Sequence, residues 1–116
     1  MKLIESDGKK LLQSIGIQVP NSIWLDVNAV SFPREVDWSH EWFLKAQVLS
    51  GRRGKNGLVR RCHTQDGALS SITEMRQRLA QIPCAGFLLE QALPHQEEWF
   101  VSFDIDRETG RTRIHY

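Results

Sequence analysis

The sequence predicts a small α+β domain with two helices and a mixed, mainly antiparallel sheet. Its 116 residues and hydrophobic fraction of 41% suit one domain with a modest core. Two segments show helical spacing of apolar residues, and six short apolar or alternating segments are typical of strands. The order is helix, three strands, helix, three strands, without the regular strand–helix alternation of a parallel sheet. The sheet is therefore expected to be mainly antiparallel.

The first helix is predicted over residues 5–15. Ser6 is expected to cap its first turn, and Gly16 can end it in the left-handed conformation, with Pro20 following shortly after. Four residues fall on one face of this helix, namely Gly8, Leu11, Leu12 and Ile15.

Two strands and a long loop follow the first helix. Residues 17–25 read as a strand, whereas 26–41 contain a proline and several Asp, Asn and Ser residues and are predicted to be a loop with at most one helical turn. Residues 42–49 are apolar except for Lys45 and Gln47, so they are predicted to form a strand whose polar side chains share one face.

The second half begins with a short strand over residues 58–62 and a helix over 66–80 that Thr64 can cap. Further strands are predicted over 86–92, 98–105 and 111–115. The residues with helical spacing in the second helix are Ile72, Met75, Leu79 and Ile82, and Pro83 follows them. Because the chain stops directly after an apparent mid-sheet strand, we expect it to be the front part of something longer.

The overall composition argues against several classes of protein. A net charge of +1 is too small for a general nucleic-acid binder, and the composition does not favour disorder. Cys62 and Cys84 lack metal-ligand spacing and are expected to be reduced, core or half-buried thiols, although a disulfide stays open. No segment resembles a signal peptide or a membrane span, so a cytoplasmic location is expected.

A basic, glycine-rich segment lies between Lys45 and Arg61. It contains six basic residues and no acidic one, and Gly51, Gly54 and Gly57 are spaced through it. Glycine lets backbone N–H groups approach phosphate oxygens, and Arg or Lys adds charge. The spacing matches neither a Walker loop nor a dinucleotide-binding fingerprint. The segment is therefore either a phosphate cradle or an ordinary surface loop with solvated side chains.

Residues 90–108 supply the opposite charge, with six carboxylates against one basic residue, Arg107. Glu90 interrupts an apolar strand, where a carboxylate needs a reason to be. One segment that holds phosphates and another that binds ribose hydroxyls, an adenine amine or a metal ion together suit a nucleotide.

These segments, in this order, resemble the ATP-grasp domain of the succinyl-CoA synthetase β subunit and of ATP-citrate lyase-like, NDP-forming acid–CoA ligases. The segment FLKAQVLSGRRGKNGLV is similar to that family's nucleotide-binding loop, and MKLIESDGKKLLQSIGIQVP to its N-terminal helix. The segment FLLEQALPHQEEWFVSFDIDRETG is similar to its following strands. The resemblance implies that residues 1–116 are one domain, the N-terminal part of an ATP-grasp fold, with the remainder and the CoA-ligase domain absent.

The resemblance also implies an ATP site and a role for each matching residue. Lys45 would contact the α- or β-phosphate, and Glu98 would reach the ribose hydroxyls or the nearby base edge. Glu90 would lie at the adenine hinge, where the backbone near Leu93 would help to hold the base. Arg52 departs from the family, which usually has glycine there. The phosphate loop would be lined by Gly51, Arg52, Arg53 and Gly54.

The implied activity belongs to the complete enzymes of this group. In them ATP phosphorylates a histidine, the phosphate passes to a carboxylic acid, and CoA attacks the acyl phosphate. The Mg²⁺ ligands would lie in the half that this chain lacks, so no catalytic or metal-binding residue is assigned. The chain alone is not expected to catalyse the reaction, and either an α-subunit-like partner or self-association is implied.

Two other functions stay open. The chain could be a truncated, non-catalytic nucleotide-binding or self-associating module, because an incomplete cleft exposes apolar and edge-strand surface. The basic segment around Arg60 and Arg61 could instead grip nucleic acid, although the acidic second half argues against a broad basic groove.

Overall fold

The computed structural model describes residues 2–116 and confirms the predicted order of helices and strands. Within this range, neither helix is long and apolar enough to cross a membrane. The elements are α1 (Glu5–Ser14), β1 (Ser22–Asp26), β2 (Trp42–Ala46), β3 (Val59–Cys62), α2 (Gln65–Leu79), β4 (Gly86–Gln91), β5 (Ser102–Ile105) and β6 (Thr112–His115).

The strands form two antiparallel sheets. Four of them make a sheet in the order β1-β4-β2-β3, and β5 pairs with β6 in a separate two-stranded hairpin. Every strand pair is antiparallel, which confirms the predicted α+β class. In the central strand β2, Phe43 lies opposite Glu90 of β4 on one side and Arg61 of β3 on the other.

The apolar core lies between α2 and one face of the four-stranded sheet. Alternate strand residues point to this face, as the period of two requires, and α2 buries its predicted apolar stripe against them. Cys62 is buried and Cys84 is half-buried, both as free thiols. The core includes Leu44, Ala46, Ala68, Ile72, Met75, Leu79, Phe87 and Leu89.

The first helix packs against the opposite face of the sheet, and it does so through polar side chains. Ser6 and Lys9 are its buried residues. Helical spacing predicts an apolar face on α1, and amphipathic helices ordinarily bury such a face. In α1 this face is exposed to solvent. Its three large members, Leu11, Leu12 and Ile15, are all exposed.

Two of the three residues predicted to cap or end a helix do so in the structure. Gly16 ends α1 with a φ of 85°, in the left-handed conformation. Thr64 caps α2, since its Oγ1 accepts the Gly67 amide at 3.1 Å. The predicted Ser6 cap is wrong. Ile4 is the N-cap residue of α1, and the Ser6 amide donates to the side chain of Gln47, directly after β2.

Several predicted segments are shorter in the structure. The strand expected over residues 98–105 begins at Ser102, and the one expected over 17–25 begins at Ser22. Residues 27–41 form turns and irregular backbone without a helical turn. Ile82 is exposed because α2 ends at Leu79, before the helical spacing could bring it to the core.

Candidate functional site

A cleft of about 400 Å³ opens on the polar face of the four-stranded sheet. Its floor is formed by Phe43 and Lys45 of β2, Val59 of β3 and Glu90 of β4, which alternate with core residues and point away from α2. Leu93, in the segment after β4, contributes to the rim. An apolar floor with a few converging charges is typical of small-molecule sites.

Five charged side chains meet where α1 crosses this face of the sheet. Lys45 Nζ lies 2.8 Å from Glu5 Oε1 and 2.8 Å from Glu90 Oε1. The second oxygen of Glu90 accepts from Lys9 Nζ. The second oxygen of Glu5 lies 2.6 Å from Arg53 Nη2. Three cations and two carboxylates thus form one ion network, with an excess of one positive charge.

Burial and charge act in opposite directions on the two central groups of this network. Burial lowers the pKa of Lys45, but Glu5 and Glu90 outweigh it, so the pKa lies above its ordinary value. Burial likewise raises the pKa of Glu5, but Lys45 and Arg53 hold it below its ordinary value. Both groups are therefore charged at neutral pH.

The glycine-rich loop runs from β2 to β3 beside this network. Its second part folds on itself, because the amides of Asn56, Gly57 and Leu58 donate to carbonyls within the loop. No protein acceptor within residues 2–116 takes the amides of residues 51–54. These N–H groups, with arginine and lysine nearby, are the components of an anion cradle.

The two neighbouring arginines of the loop point in different directions. Arg53 turns back to the network, and its Nη1 donates to the Ala46 carbonyl at 3.2 Å. Arg52 is exposed and has a φ of 59°. The left-handed conformation favours glycine, so Arg52 stands in a backbone conformation that residues with side chains rarely adopt.

The rim of the cleft carries Leu93 and Glu98. The Leu93 carbonyl lies 2.9 Å from Nδ1 of His95, and Nε2 of the same ring lies 2.9 Å from Glu98 Oε1. The Glu98 side chain is 82% exposed, whereas that of Glu90 is 13% exposed. The cleft therefore has one carboxylate on its floor and another at its mouth.

The structure brings most of the predicted site residues together. Arg53 lies outside the cleft lining but joins the ion network through its contact with Glu5, whereas three further loop residues lie outside the lining and are exposed. Those that line the cleft are Lys45, Glu90, Leu93 and Glu98. The exposed loop residues are Gly51, Arg52 and Gly54.

Sequence reasoning missed Glu5 and Lys9, which tie α1 to the site. On a helix, two residues of opposite charge four positions apart ordinarily pair with each other at the surface. Their spacing therefore does not indicate that either one contacts another part of the chain. Each instead pairs with the sheet, Glu5 with Lys45 and Lys9 with Glu90. Only the position of α1 on the sheet reveals them.

The excess positive charge of the network suits an anion. Within the part of the chain that the structure describes, no three His, Cys, Asp or Glu side chains are grouped to hold a metal ion. The carboxylates nearest the loop, Glu5 and Glu90, are already engaged by lysine and arginine.

A second cleft, of about 470 Å³, lies between α1 and the β1–β4 side of the sheet. Lys10 and Trp24 contribute to its lining. It contains none of the predicted site residues.

Comparison with known proteins gives consistent matches. A family model described as an ATP-grasp domain matches residues 2–115. The chain is 31% identical to the ADP-forming succinate–CoA ligase subunit beta of Methanocaldococcus jannaschii, over 98% of this chain and 31% of that protein. It is 34% identical to the same subunit of Hydrogenovibrio crunogenus, over 94% of this chain and 30% of that protein. An ADP-forming sulfoacetate–CoA ligase subunit of an Acholeplasma species is 32% identical, over 96% and 27% of the two chains.

The chain spans about a third of the length of these curated relatives. The family model, however, matches nearly the whole of this chain. The order of helices and strands is the one that the sequence predicts. The chain belongs to the ATP-grasp family and is homologous to the β subunits of succinate–CoA ligases.

Proposed function

We propose that this chain is the ATP-binding part of an ADP-forming acid–CoA ligase of the succinyl-CoA synthetase type. The observation that carries the proposal is the convergence of Lys45 and Arg53 beside loop amides that lack a protein acceptor within residues 2–116. Cations and N–H groups suit phosphates. Phe43 and Val59 offer apolar surface to a planar base in the same cleft. The relatives, which are named as ADP-forming ligases, support the same function.

Each predicted residue keeps a distinct role in this proposal. Lys45 contacts the α- or β-phosphate, and Glu90 lies at the adenine hinge. The Leu93 amide has no acceptor within the described chain and is available to the base. Glu98, at the mouth, accepts from ribose hydroxyls or from the nearby base edge. The phosphates rest on the loop formed by Gly51, Arg52, Arg53 and Gly54.

The complete reaction is proposed for the longer protein of which residues 1–116 would be one nucleotide-binding domain. There ATP would drive acyl-CoA formation through a phosphohistidine and an acyl phosphate. The residues described here bind and orient the nucleotide and neutralise its charge, which is the main protein contribution to phosphoryl transfer. Mg²⁺ would be held by residues outside this chain. We propose a cytoplasmic location and no catalysis by this part alone.

A second property is favoured by the β5–β6 hairpin, one face of which is apolar and exposed. Phe103 and Ile114 pair across the strands, and both are more than half exposed, as is Ile105. Apolar surface of this kind marks interaction sites. We propose that an α-subunit-like partner or a second copy of the chain covers it. Sedimentation velocity over a concentration series distinguishes the two, because only a second copy gives a concentration-dependent dimer of the isolated chain.

Nucleic-acid binding is less well supported than the basic sequence suggests. Arg60 pairs with Glu74 at 2.9 Å, and Arg61 pairs with Glu41 at 3.0 Å. With Lys45 and Arg53, four of the six basic residues in the segment contact carboxylates. Basic side chains that are already paired with carboxylates neutralise few phosphates. They therefore release few of the counterions condensed on a nucleic acid, and the affinity is correspondingly low.

Isothermal titration calorimetry with ATP tests the proposed function. The wild-type chain should bind ATP, and Lys45→Met, which keeps the aliphatic stem but removes the charge, should weaken binding about tenfold, equivalent to roughly 1.4 kcal/mol. Lys10→Met is the matched control, since Lys10 is an exposed lysine of α1 that does not line the cleft. The absence of ATP binding by the wild-type chain, or equal binding by all three proteins, would contradict the proposal.

A further inference from the structure

The Glu5 side chain of α1 contacts both cations that the proposed function assigns to phosphates. We propose that Glu5 is a positioning residue, whose carboxylate holds Lys45 and Arg53 at the spacing in which both can contact the phosphates of one nucleotide. The inference rests on the proposed function. It extends that function to α1, which carries none of the residues assigned to the nucleotide. Through Glu5, α1 would set how tightly the phosphates bind.

One carboxylate joins the two cations. Glu5 Oε1 lies 2.8 Å from Lys45 Nζ, and Oε2 lies 2.6 Å from Arg53 Nη2. Without an anion between them, two partly buried cations repel each other, and a long arginine side chain takes many rotamers. The bridge therefore holds the two cations close together before a ligand arrives.

The position of Glu5 is itself fixed by its neighbours on α1. The amide of Ser6 donates to Gln47 Oε1 at 2.9 Å, in a buried contact with the segment that follows β2. One turn later, Lys9 pairs with Glu90 of β4. These contacts anchor the first two turns of α1 to the sheet, so Glu5 stays in place when a ligand enters the cleft.

Glu5 could instead be a placeholder that a phosphate displaces, but two observations argue against this. Glu5 Oε2 is buried and accepts no hydrogen bond of good geometry within residues 2–116, so the charge of Arg53, whose Nη2 lies 2.6 Å away, is the only compensation that this oxygen has. Displacement would leave a buried, uncompensated carboxylate oxygen. In addition, lysine has three donors and arginine five, so each can contact Glu5 and a phosphate oxygen together.

Glu5→Gln separates these two possibilities. Glutamine keeps one acceptor for Lys45 but presents an N–H group where Arg53 needs an oxygen, so the arginine is released. We expect ATP to bind the variant about tenfold more weakly, which corresponds to roughly 1.4 kcal/mol. Adenosine, which lacks phosphates, should bind both proteins equally. A placeholder would give the opposite result for ATP, with tighter binding by the variant.

The matched control is Asp7→Asn, which removes the same charge from the same helical turn. Asp7 is exposed and has no ion pair within the described residues. Calorimetry with ATP and with adenosine on the wild-type chain and both variants gives the comparison. A loss confined to ATP and to Glu5→Gln supports the inference. Equal ATP affinity in the two variants, or an equal loss for adenosine, overturns it while leaving the proposed function intact.

A measurement without ligand tests the positioning by itself. In a ¹H–¹⁵N spectrum, the Arg53 Nε–H signal can be assigned by its loss in Arg53→Lys. We expect it to be sharp and displaced from the solvent-exposed arginines in the wild-type chain, and to move into their range in Glu5→Gln. An unmoved signal overturns the inference. Absence of ATP binding by the wild-type chain would instead overturn the proposed function, and the two failures are therefore distinct.

Discussion

Glu90→Gln should destabilise the fold, because Glu90 is the shared partner of two lysines. Its oxygens contact Lys9 and Lys45, and the three side chains are only 10–18% exposed. The substitution leaves three cations with one carboxylate, Glu5, and presents an N–H group to one ammonium. Breaking a fully buried pair costs about 3–5 kcal/mol. Partial exposure reduces this, and we expect a loss of about 2 kcal/mol in the free energy of unfolding.

Urea denaturation followed by circular dichroism measures this loss, and thermal unfolding should show a fall of about 8 °C in Tm. The matched control is Glu74→Gln, since Glu74 pairs with Arg60 at the surface, where the side chains are 52% and 34% exposed. Exposed pairs contribute about 0–1 kcal/mol. If Glu90→Gln costs no more than Glu74→Gln, the ion network does not hold α1 on the sheet, and the reasoning is refuted.

Three further predictions concern the fold. The pKa of Glu5 is held below its ordinary value of 4.5, so its stabilisation is present above that pH and disappears as the pH falls through the folded-state value. Glu5→Gln should therefore lose less unfolding free energy than wild type between pH 6 and pH 3, and equal losses would contradict this. Gly86→Ala should cost about 1–3 kcal/mol in urea denaturation, since a Cβ would lie 2.6 Å from the Leu25 carbonyl oxygen. Gly8→Ala, in open space within α1, should instead gain roughly 1 kcal/mol, and similar effects of the two would count against the packing described. Thr64→Ala should cost about 1 kcal/mol, and an unchanged midpoint would show that the cap is not needed.

Local features of the fold were predictable because they act within a few residues. The Thr64 cap and the left-handed Gly16 depend on neighbouring backbone groups alone. The alternation in the predicted strand 42–49 placed Lys45 and Gln47 on one face, and both contact α1 in the structure, although β2 itself ends at Ala46. Glu90 was recognised as a carboxylate that needs a reason to stand in an apolar strand, and in the structure it pairs with two lysines that the sequence did not identify as its partners.

The parts that were not predictable depend on contacts between distant segments. Helical spacing shows that Leu11 and Ile15 share a face, but it cannot show which surface α1 packs on. The side of the sheet that α1 meets carries Lys45, Gln47 and Glu90, so its polar side chains are buried and its apolar ones exposed. The separation of β5 and β6 from the main sheet is likewise a matter of long-range pairing.

The central claim is that ATP binds in the cleft between the glycine-rich loop and the segment after β4. Amide chemical shifts of the ¹⁵N-labelled chain during an ATP titration test it most directly. We predict saturable shifts at the amides of residues 51–54 and Leu93 and none at β6, and in the Lys45→Met variant the same shifts at about tenfold higher ATP concentration. Shifts centred on Lys10 and Trp24, which line the second cleft, or no shifts at all, would contradict the account.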